Sequence, residues 1–328
     1  MPEPWVNVTP YLNKNKKVDG MVSNAVFGAS STAADVVRGR DLSGVVAIVT
    51  GGAAGIGIET VRALASVGAD VMIAVRNRAA GEFAAATINT ELGRAAVSTG
   101  LLDLADLVSV RAFASAWGER PLNLLINNAG IMAGPLARTA DGFEMNIGIN
   151  HLGHFLLFQL LRPNLELGAP ARVIQLSSGA HLRWPFDFDD WNFLSQPYDP
   201  TAAYGRSKTA TALAAVAISD RYESRGINSW SVMPGVIRTG LFKDMDEKAE
   251  ADLMARVGSM QKTPQQGAAT TVWAALAPEL EGRGGLYLEN CAIAGAPALS
   301  PPSGVGPHAR DLGAAQRLWA ISSEAVHG

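Results

Sequence analysis

The chain is poor in cysteine and in charged residues, and each shortage excludes a class of protein. Its one cysteine, Cys291, excludes an internal disulfide framework, a cysteine-based zinc cluster and an iron–sulfur site, and it suits a reducing compartment. Charged residues make up only 17% of the chain, and the formal net charge is −3. We therefore expect neither nucleic acid nor an anionic membrane to bind through bulk charge.

Long apolar runs are also missing. The longest uncharged stretches, residues 42–58 and 290–309, contain five glycines and four prolines respectively, so neither is expected to span a membrane. The first twenty residues have no apolar run of the length that a secretory signal needs. A cytoplasmic protein without a membrane partner is the expectation.

From Val45 onward, short β-branched runs alternate with longer alanine-rich segments of helical period. This alternation is typical of a parallel sheet covered by crossover helices. Strands are predicted at 45–50, 70–75, 95–101, 122–127, 172–177, 227–233 and 284–288. Helices are predicted at 55–67, 79–92, 106–117, 141–167, 202–225 and 264–277. The predicted fold class is α/β, a single doubly wound domain with a mostly parallel seven-stranded sheet and helices on both faces.

The same pattern divides the chain into three parts. Residues 1–40 are expected to form an N-terminal leader, and residues 41–295 the doubly wound domain. Residues 296–328 are expected to be a C-terminal tail that packs on the domain and is irregular after Gly295. With 48% apolar residues, the chain can bury a large core.

The first predicted strand runs into a glycine-rich turn, TGGAAGIG at positions 50–57, and then into a helix. Glycines in this context allow a tight turn and let backbone N–H groups approach a pyrophosphate at the helix N-terminus. The turn therefore predicts a Rossmann dinucleotide site with contacts from Gly51, Gly55, Ile56 and Gly57. A methyltransferase also begins with such a turn, but it would leave the motifs below unexplained.

The end of the second strand indicates which dinucleotide binds. An NAD site normally places Asp or Glu there for the adenosine ribose, whereas this chain has Arg76, followed by Asn77 and Arg78. A guanidinium can pair with a 2′-phosphate. Arg76 therefore favours NADP(H) over NAD(H), and a solvated arginine at a helix start is the alternative.

A tyrosine and a lysine, Tyr204 and Lys208, are four positions apart on a predicted helix. Residues so spaced share one helix face. A neighbouring ammonium stabilises a phenolate, so Lys208, with the positive nicotinamide ring nearby, is expected to lower the pKa of Tyr204 from about 10 and make it a general acid or base. Such pairs are common by chance on exposed helices, and it is the combination with the glycine turn that makes this one informative.

These residues belong to an ordered set of motifs that resembles the short-chain dehydrogenase/reductase family over residues 41–295. The set comprises residues 50–57, Asp103-Leu104, Asn127-Asn128-Ala129-Gly130, Asn150, Ser178, Tyr204 with Lys208, and residues 234–239. Within the family, residues 141–157, 175–181 and 198–208 are similar to the retinol-dehydrogenase-like and WW-oxidoreductase-like branch.

The resemblance implies a role for each matching position. Tyr204 would exchange a proton with the substrate oxygen, Ser178 would hydrogen-bond that oxygen, Lys208 would hold the nicotinamide ribose, and Asn150 would bind a relay water. The implied cofactor contacts are Asp103 at the adenine, Thr239 at the nicotinamide, Asn128, Ala129 and Gly130 along the cleft, and Leu104, Tyr204, Lys208, Pro234, Val236 and Ile237.

Twenty-five residues separate Ser178 from Tyr204, and this segment is rich in aromatic residues, Trp184 and Trp191 among them. Two interpretations stay open: an apolar wall for a bulky substrate, or rings that anchor a long loop to the core.

His181 is a candidate substrate contact. His151, His154 and His181 have no carboxylate or cysteine at metal-ligand spacing, so packing histidines and no metal site are expected. Residues 241–260, which contain Met245, Met254 and Met260, are a candidate lid or a solvated amphipathic helix.

These observations predict an NADP(H)-dependent oxidoreductase that transfers a hydride between nicotinamide and an apolar alcohol/carbonyl pair. The pair would be a secondary alcohol and its ketone or a primary alcohol and its aldehyde. A non-catalytic nucleotide sensor or scaffold on the same fold is the alternative. By analogy with the family, a homodimer or homotetramer is expected.

Overall fold

A computed structural model describes residues 27–132, 134–237, 258, 261–299 and 301–327 of the chain. Its main sheet has the strand order β3-β2-β1-β4-β5-β6-β7-β8. The strands are β1 Val46–Thr50, β2 Asp70–Val75, β3 Val97–Leu101, β4 Leu124–Asn127, β5 Ala171–Leu176, β6 Ile227–Met233, β7 Tyr287–Glu289 and β8 Ala292–Ile293. All neighbouring strands are parallel except β7 and β8.

The central strands are apolar on both faces because helices cover both sides of the sheet. Every residue of β4 and β5 is buried. One apolar cluster joins the sheet to helices α1 Ala33–Val37, α2 Gly55–Ser66, α3 Arg78–Leu92 and α8 Pro264–Leu276. The other joins it to α4 Leu107–Trp117, α6 His154–Leu167 and α7 Pro200–Tyr222. The predicted doubly wound α/β fold is confirmed.

The sheet has one strand more than the sequence predicts. After β7 the chain reverses at Asn290 and Cys291, whose φ angles are 52° and 56°, and returns as the two-residue antiparallel strand β8. A strand of two residues is too short to produce a recognisable hydropathy pattern.

The helix predicted over 141–167 is shorter and interrupted. Residues 138 and 144 form an isolated β-bridge, and the helical segment begins as α5, Met145–Ile147. The Glu144 side chain caps α5 by accepting hydrogen bonds from the Asn146 and Ile147 amides at 2.9 and 3.0 Å. A π-helical turn, Gly148–Gly153, then leads into α6.

The C-terminal tail is not irregular as expected, and that prediction is wrong. It contains a hairpin of β9 Ala298–Leu299 and β10 Pro302–Ser303, a 3-10 turn at Pro307–Ala309 and helix α9, Leu312–His327. Ala315, Leu318, Ser322 and Val326 form the buried face of α9, which packs against α7. Helical spacing of these small and apolar residues produces this face. Within the described part of the chain, no helix has the length and apolar character needed to cross a bilayer.

The contact between α9 and α7 can be tested by shortening Leu318, which is 2% exposed. We expect Leu318→Ala to lower the free energy of unfolding by about 2–5 kcal/mol, because the substitution leaves a cavity in a packed interface. Leu312→Ala, on the same helix at 44% exposure, should cost about 1 kcal/mol or less. Urea unfolding curves measure both, and equal losses would show that α9 does not pack as described.

Candidate active site

The candidate site lies where parallel strands end at the same edge of the sheet. Thr50 ends β1, Asn127 ends β4, and Leu176 and Met233 end β5 and β6. The segments that follow these four strands are the glycine-rich turn and the Asn-Asn-Ala-Gly, Ser178 and Pro-Gly segments. In open α/β sheets, ligands bind outside the carboxyl ends of the strands. The topology thus collects the predicted motifs at one edge.

The glycine-rich turn requires its glycines for steric reasons. Gly51 and Gly55 have φ angles of +66° and +55°, which favour glycine. A Cβ at Gly57 would lie 2.4 Å from the Gly51 carbonyl oxygen, so the turn closes only without one. Helix α2 begins at Gly55 after Ala54, whose methyl group cannot accept a hydrogen bond from the first amides of the helix. Those amides suit a phosphate ligand.

Arg76 directly follows β2 and is exposed. It lies beside the glycine turn because β2 pairs with β1, with Ala74 opposite Thr50. Among the described residues it makes no ion pair, whereas its neighbour Arg78 lies 3.7 Å from Glu82. Asp70 lies at the opposite end of β2 and pairs with Arg94 at 3.5 Å. The guanidinium of Arg76 is therefore available for an anionic ligand at this edge.

Asp103 and Leu104 follow β3, which is next to β2 in the sheet. The Asp103 carboxylate accepts a hydrogen bond from the Ala105 amide at 2.9 Å, which fixes the turn. The Leu104 side chain is 7% exposed and belongs to the core. Any contact of Leu104 with a ligand would therefore come mainly from its backbone.

Tyr204 and Lys208 lie on α7 and are 7% and 4% exposed. The Lys208 Nζ atom is 5.7 Å from the centroid of the Tyr204 ring, so the two side chains share a face. Ser178, two residues after the end of β5, is near enough to the Tyr204 hydroxyl to oppose part of the rise in the pKa of Tyr204. The structure brings together the three groups that the sequence singled out.

The pKa of Tyr204 is raised in the protein alone. Burial raises it and the nearby Ser178 side chain only partly opposes this effect, so Lys208 by itself does not lower it, and the lowering expected with nicotinamide bound stays a prediction. Burial also lowers the pKa of Lys208 to about 8. Its ammonium donates to the Leu176 carbonyl at 2.9 Å rather than to the phenol. In the protein alone, Tyr204 is therefore a neutral phenol at neutral pH.

Asn150 lies on the π-helical turn, a geometry that is frequent at functional sites. Its side-chain oxygen accepts from the Ile131 amide at 2.8 Å, and its side-chain nitrogen donates to Ser207 Oγ at 2.9 Å. A Cβ at Gly130 would lie 3.2 Å from Asn150 Oδ1 and 3.3 Å from Lys208 Nζ. Gly130 thus brings the segment after β4 close to both side chains.

A buried histidine that the sequence assigned only to packing links these parts. The His154 Nδ1–H group donates to the Asn150 carbonyl at 3.1 Å, which makes Nε2 the acceptor of a neutral ring. Nε2 lies 2.9 Å from Thr50 Oγ1, which in turn accepts a hydrogen bond from the Ala129 amide at 2.9 Å. Its position four residues after Asn150 was the available sequence signal.

The segment after β6 lies close to the start of α2. The Val236 carbonyl accepts a hydrogen bond from the Lys262 amide at 2.8 Å, which holds the residues after Pro234 in an extended form. A Cβ at Gly267 would lie 2.8 Å from Ile237 and 3.2 Å from Ile56, so these two side chains meet at one point of α8. Thr239 and, apart from Gly258, the candidate lid lie outside the described residues.

The three candidate pocket residues occupy different environments. His181 is fully buried, with both ring nitrogens in intramolecular hydrogen bonds, so the structure does not place it at a cleft surface. Trp184 is half-buried against Gly205, next to Tyr204 in sequence, where a Cβ would lie 2.3 Å from its ring. Trp191 packs with Phe143 at a ring separation of 6.0 Å. Trp191 thus anchors the loop, and Trp184 lies beside the helix that carries Tyr204.

Comparison with known proteins identifies relatives over most of the chain. A family profile described as short chain dehydrogenase matches residues 45–250. A protein described as a probable oxidoreductase from Streptomyces antibioticus is 42% identical over 87% of this chain and 99% of its own length. Retinol dehydrogenase 12 of Homo sapiens is 40% identical over 86% of each chain. A solved structure described as a Pseudomonas aeruginosa RhlG/NADP active-site complex superposes with a TM-score of 0.62 at 27% identity, over 76% of this chain and 95% of its own.

The buried histidines predict how stability depends on pH. Burial lowers the pKa of His151 to about 3 and the pKa of His154 and His181 to about 4, from 6.5. Between pH 6.5 and 4 the unfolded chain binds protons that the folded chain does not. The free energy of unfolding should therefore fall as the pH drops below 6.5, by about 1.4 kcal/mol per pH unit for each histidine.

Denaturant unfolding at pH 7, 6 and 5 measures this dependence. The His151→Gln variant, which removes one of the three groups, should lose about a third of the slope. A free energy of unfolding that stays constant between pH 7 and 5 would show that these rings do not stay neutral in the folded protein.

Proposed function

The chain belongs to the short-chain dehydrogenase/reductase family, in its retinol-dehydrogenase-like branch. On that basis we propose that this oxidoreductase uses NADP(H) to interconvert an apolar alcohol and its carbonyl partner. The observation that carries the proposal is the cluster of buried Tyr204 and Lys208 with half-buried Ser178. It lies at the edge of the sheet that also carries the glycine-rich turn. Residues 41–295 would form the catalytic domain.

In this proposal the nicotinamide, when bound, supplies the hydride to the carbonyl carbon in reduction and accepts it in oxidation. Tyr204 gives its hydroxyl proton to the substrate oxygen in reduction and takes a proton back in oxidation. The raised pKa of Tyr204 keeps the phenol protonated, which suits the proton donor of a reduction. Ser178 hydrogen-bonds the same oxygen where negative charge develops.

Lys208 and Asn150 serve this proton transfer. The Lys208 ammonium would bind the nicotinamide ribose and stabilise the phenolate formed when Tyr204 loses its proton. Its side chain is held by the Leu176 carbonyl, so little reorganisation is needed when substrate arrives. Asn150, fixed between Ile131 and Ser207, would hold the water that returns the proton. Asn150, Tyr204 and Lys208 are buried, which strengthens their electrostatic interactions.

The residues of the turn and its neighbours fit a dinucleotide. The Gly51–Gly57 turn and the uncapped start of α2 would hold the pyrophosphate. The other proposed contacts are Asp103 and Leu104 for the adenine, Asn128, Ala129 and Gly130 along the cleft, and Pro234, Val236, Ile237 and Thr239 for the nicotinamide.

The preference for NADP(H) rests on Arg76. Its guanidinium is exposed beside the pyrophosphate turn, where it could pair with a 2′-phosphate, and no carboxylate ends β2. The solved relative described as an RhlG/NADP complex supports the same cofactor class. Trp184, beside the helix of Tyr204, would form an apolar side of the substrate pocket. We further propose a cytoplasmic homodimer or homotetramer, by analogy with the family.

The role of Tyr204 is tested by Tyr204→Phe, which removes only the hydroxyl. With NADPH and a panel of apolar aldehydes and ketones, we expect kcat to fall by about 10²–10⁴, because the substrate oxygen loses its proton donor. The dissociation constant for NADPH, measured by fluorescence titration, should stay within about twofold. Equal turnover by the wild-type protein and the variant would remove this mechanism.

The role of Arg76 is tested by Arg76→Ala, with Arg78→Ala as the matched control two positions along the chain. Losing a charge-assisted contact of about 1.5–3 kcal/mol should weaken NADPH binding by about 10- to 100-fold and leave NADH binding nearly unchanged. Arg78→Ala should change neither. Tighter binding of NADH than NADPH by the wild-type protein would contradict the assignment.

A further inference from the structure

The carbonyl of Ser178 is held by a buried histidine. It accepts a hydrogen bond from the His181 amide at 3.1 Å and a shorter one, 2.7 Å, from His181 Nδ1. The His181 ring is fully buried and packs against the tilted ring of Tyr287, with the ring centroids 4.5 Å apart. Because a carbonyl only accepts, Nδ1 must carry a proton.

The other ring nitrogen of His181 and the His181 carbonyl contact the C-terminal tail. The Gly306 amide donates to His181 Nε2 at 3.2 Å, so Nε2 must be the unprotonated nitrogen. His308 Nε2 donates to the His181 carbonyl at 2.8 Å, and a Cβ at Gly306 would lie 2.6 Å from the His308 ring. We call residues 302–309 the tail clamp. Its contacts allow one tautomer of His181, the neutral Nδ1–H form.

The tail clamp also lies directly beside the segment that carries Ser178. A Cβ at Gly179 would be in van der Waals contact with Pro302 and Met233, each at 3.5 Å. The clamp lies outside residues 45–250, the part of the chain that matches the family profile. C-terminal residues thus help to fix the backbone at a proposed catalytic serine.

We propose that His181 is a positioning residue. The tail clamp holds His181 in the Nδ1–H tautomer, in which the His181 ring binds the Ser178 carbonyl. This contact orients the Ser178 hydroxyl toward Tyr204 and the substrate oxygen. The inference rests on the proposed function, since Ser178 must act on substrate for its position to matter. Burial supports it by lowering the pKa of His181 to about 4, which keeps the ring neutral at working pH.

The tautomer is tested without any turnover. In a long-range proton–nitrogen correlation spectrum of the ¹⁵N-histidine-labelled protein at pH 7, His181 should show a protonated Nδ1 and an unprotonated Nε2. The spectrum of His181→Asn assigns the signal. An Nε2–H tautomer or a charged ring at pH 7 would overturn the proposal.

The positioning role is tested with two amides that each reproduce one ring nitrogen. His181→Asn keeps a donor near the Nδ1 position and should retain kcat within about threefold of wild type. His181→Gln places its amide near Nε2 and should lose at least about tenfold in kcat, with the dissociation constant for NADPH unchanged. Leu318→Ala is the control for stability, because it destabilises α9 without touching His181, and its kcat well below its melting temperature should match wild type.

The clamp itself provides a second pair of variants should the His181 variants not fold. His308→Ala should lower kcat several-fold, and His308→Gln, which restores a donor at the Nε2 position, should recover it. Two results would contradict the positioning role. In the first, all four variants have the kcat of wild type. In the second, kcat falls equally in His181→Asn and His181→Gln, or equally in His308→Ala and His308→Gln, and His181 and the clamp then only support the fold. If wild type and Tyr204→Phe turn over equally, the proposed function fails, whereas the tautomer result stands by itself.

Discussion

Thr50 makes the contact on which the geometry of the site depends. Its hydroxyl oxygen accepts a hydrogen bond from the Ala129 amide and lies 2.9 Å from Nε2 of the neutral His154 ring. The other nitrogen of that ring holds the Asn150 carbonyl. One side chain at the end of β1 therefore fixes the start of the glycine-rich turn, the segment after β4 and the π-helical turn relative to one another. Each of these carries a group proposed to act on cofactor or substrate.

Burial is the second constraint, and it acts in opposite directions on the two groups of α7. It disfavours the phenolate of Tyr204 and the ammonium of Lys208, because both are charged forms in a region of low polarity. The protein alone thus holds a neutral phenol beside an ammonium whose pKa is about 8. Formation of the phenolate is expected to need the positive charge of an oxidised nicotinamide in addition to Lys208. The protein would then be a proton donor first and become a proton acceptor only in complex with oxidised cofactor.

Much of the fold and of the site could be predicted from the sequence because the signals are local. Strands β2 and β6 have the predicted bounds, residues 70–75 and 227–233, and the glycine-rich turn lies between a strand and a helix as predicted. The spacing of Tyr204 and Lys208 placed both on one face of α7, since four residues make about one helical turn. Helix α9 could also have been found, because Ala315, Leu318, Ser322 and Val326 repeat at helical spacing. The prolines and glycines before it concealed this pattern.

Only the tertiary structure could decide the rest, because the partners are far apart in sequence. His154 meets Thr50 across 104 positions and His181 meets Gly306 across 125, and no local pattern encodes such pairs. The pKa of Tyr204 likewise depends on how deeply the fold buries it, which the spacing of Tyr204 and Lys208 does not contain. The sequence by itself determined the order of most strands and helices, the glycine turn and the proposed reactive groups, since these follow from local motifs, backbone conformation and hydropathy period. Packing decided which tautomer His154 and His181 adopt and which carbonyl each holds, because hydrogen bonding and desolvation depend on neighbours that only the folded chain supplies.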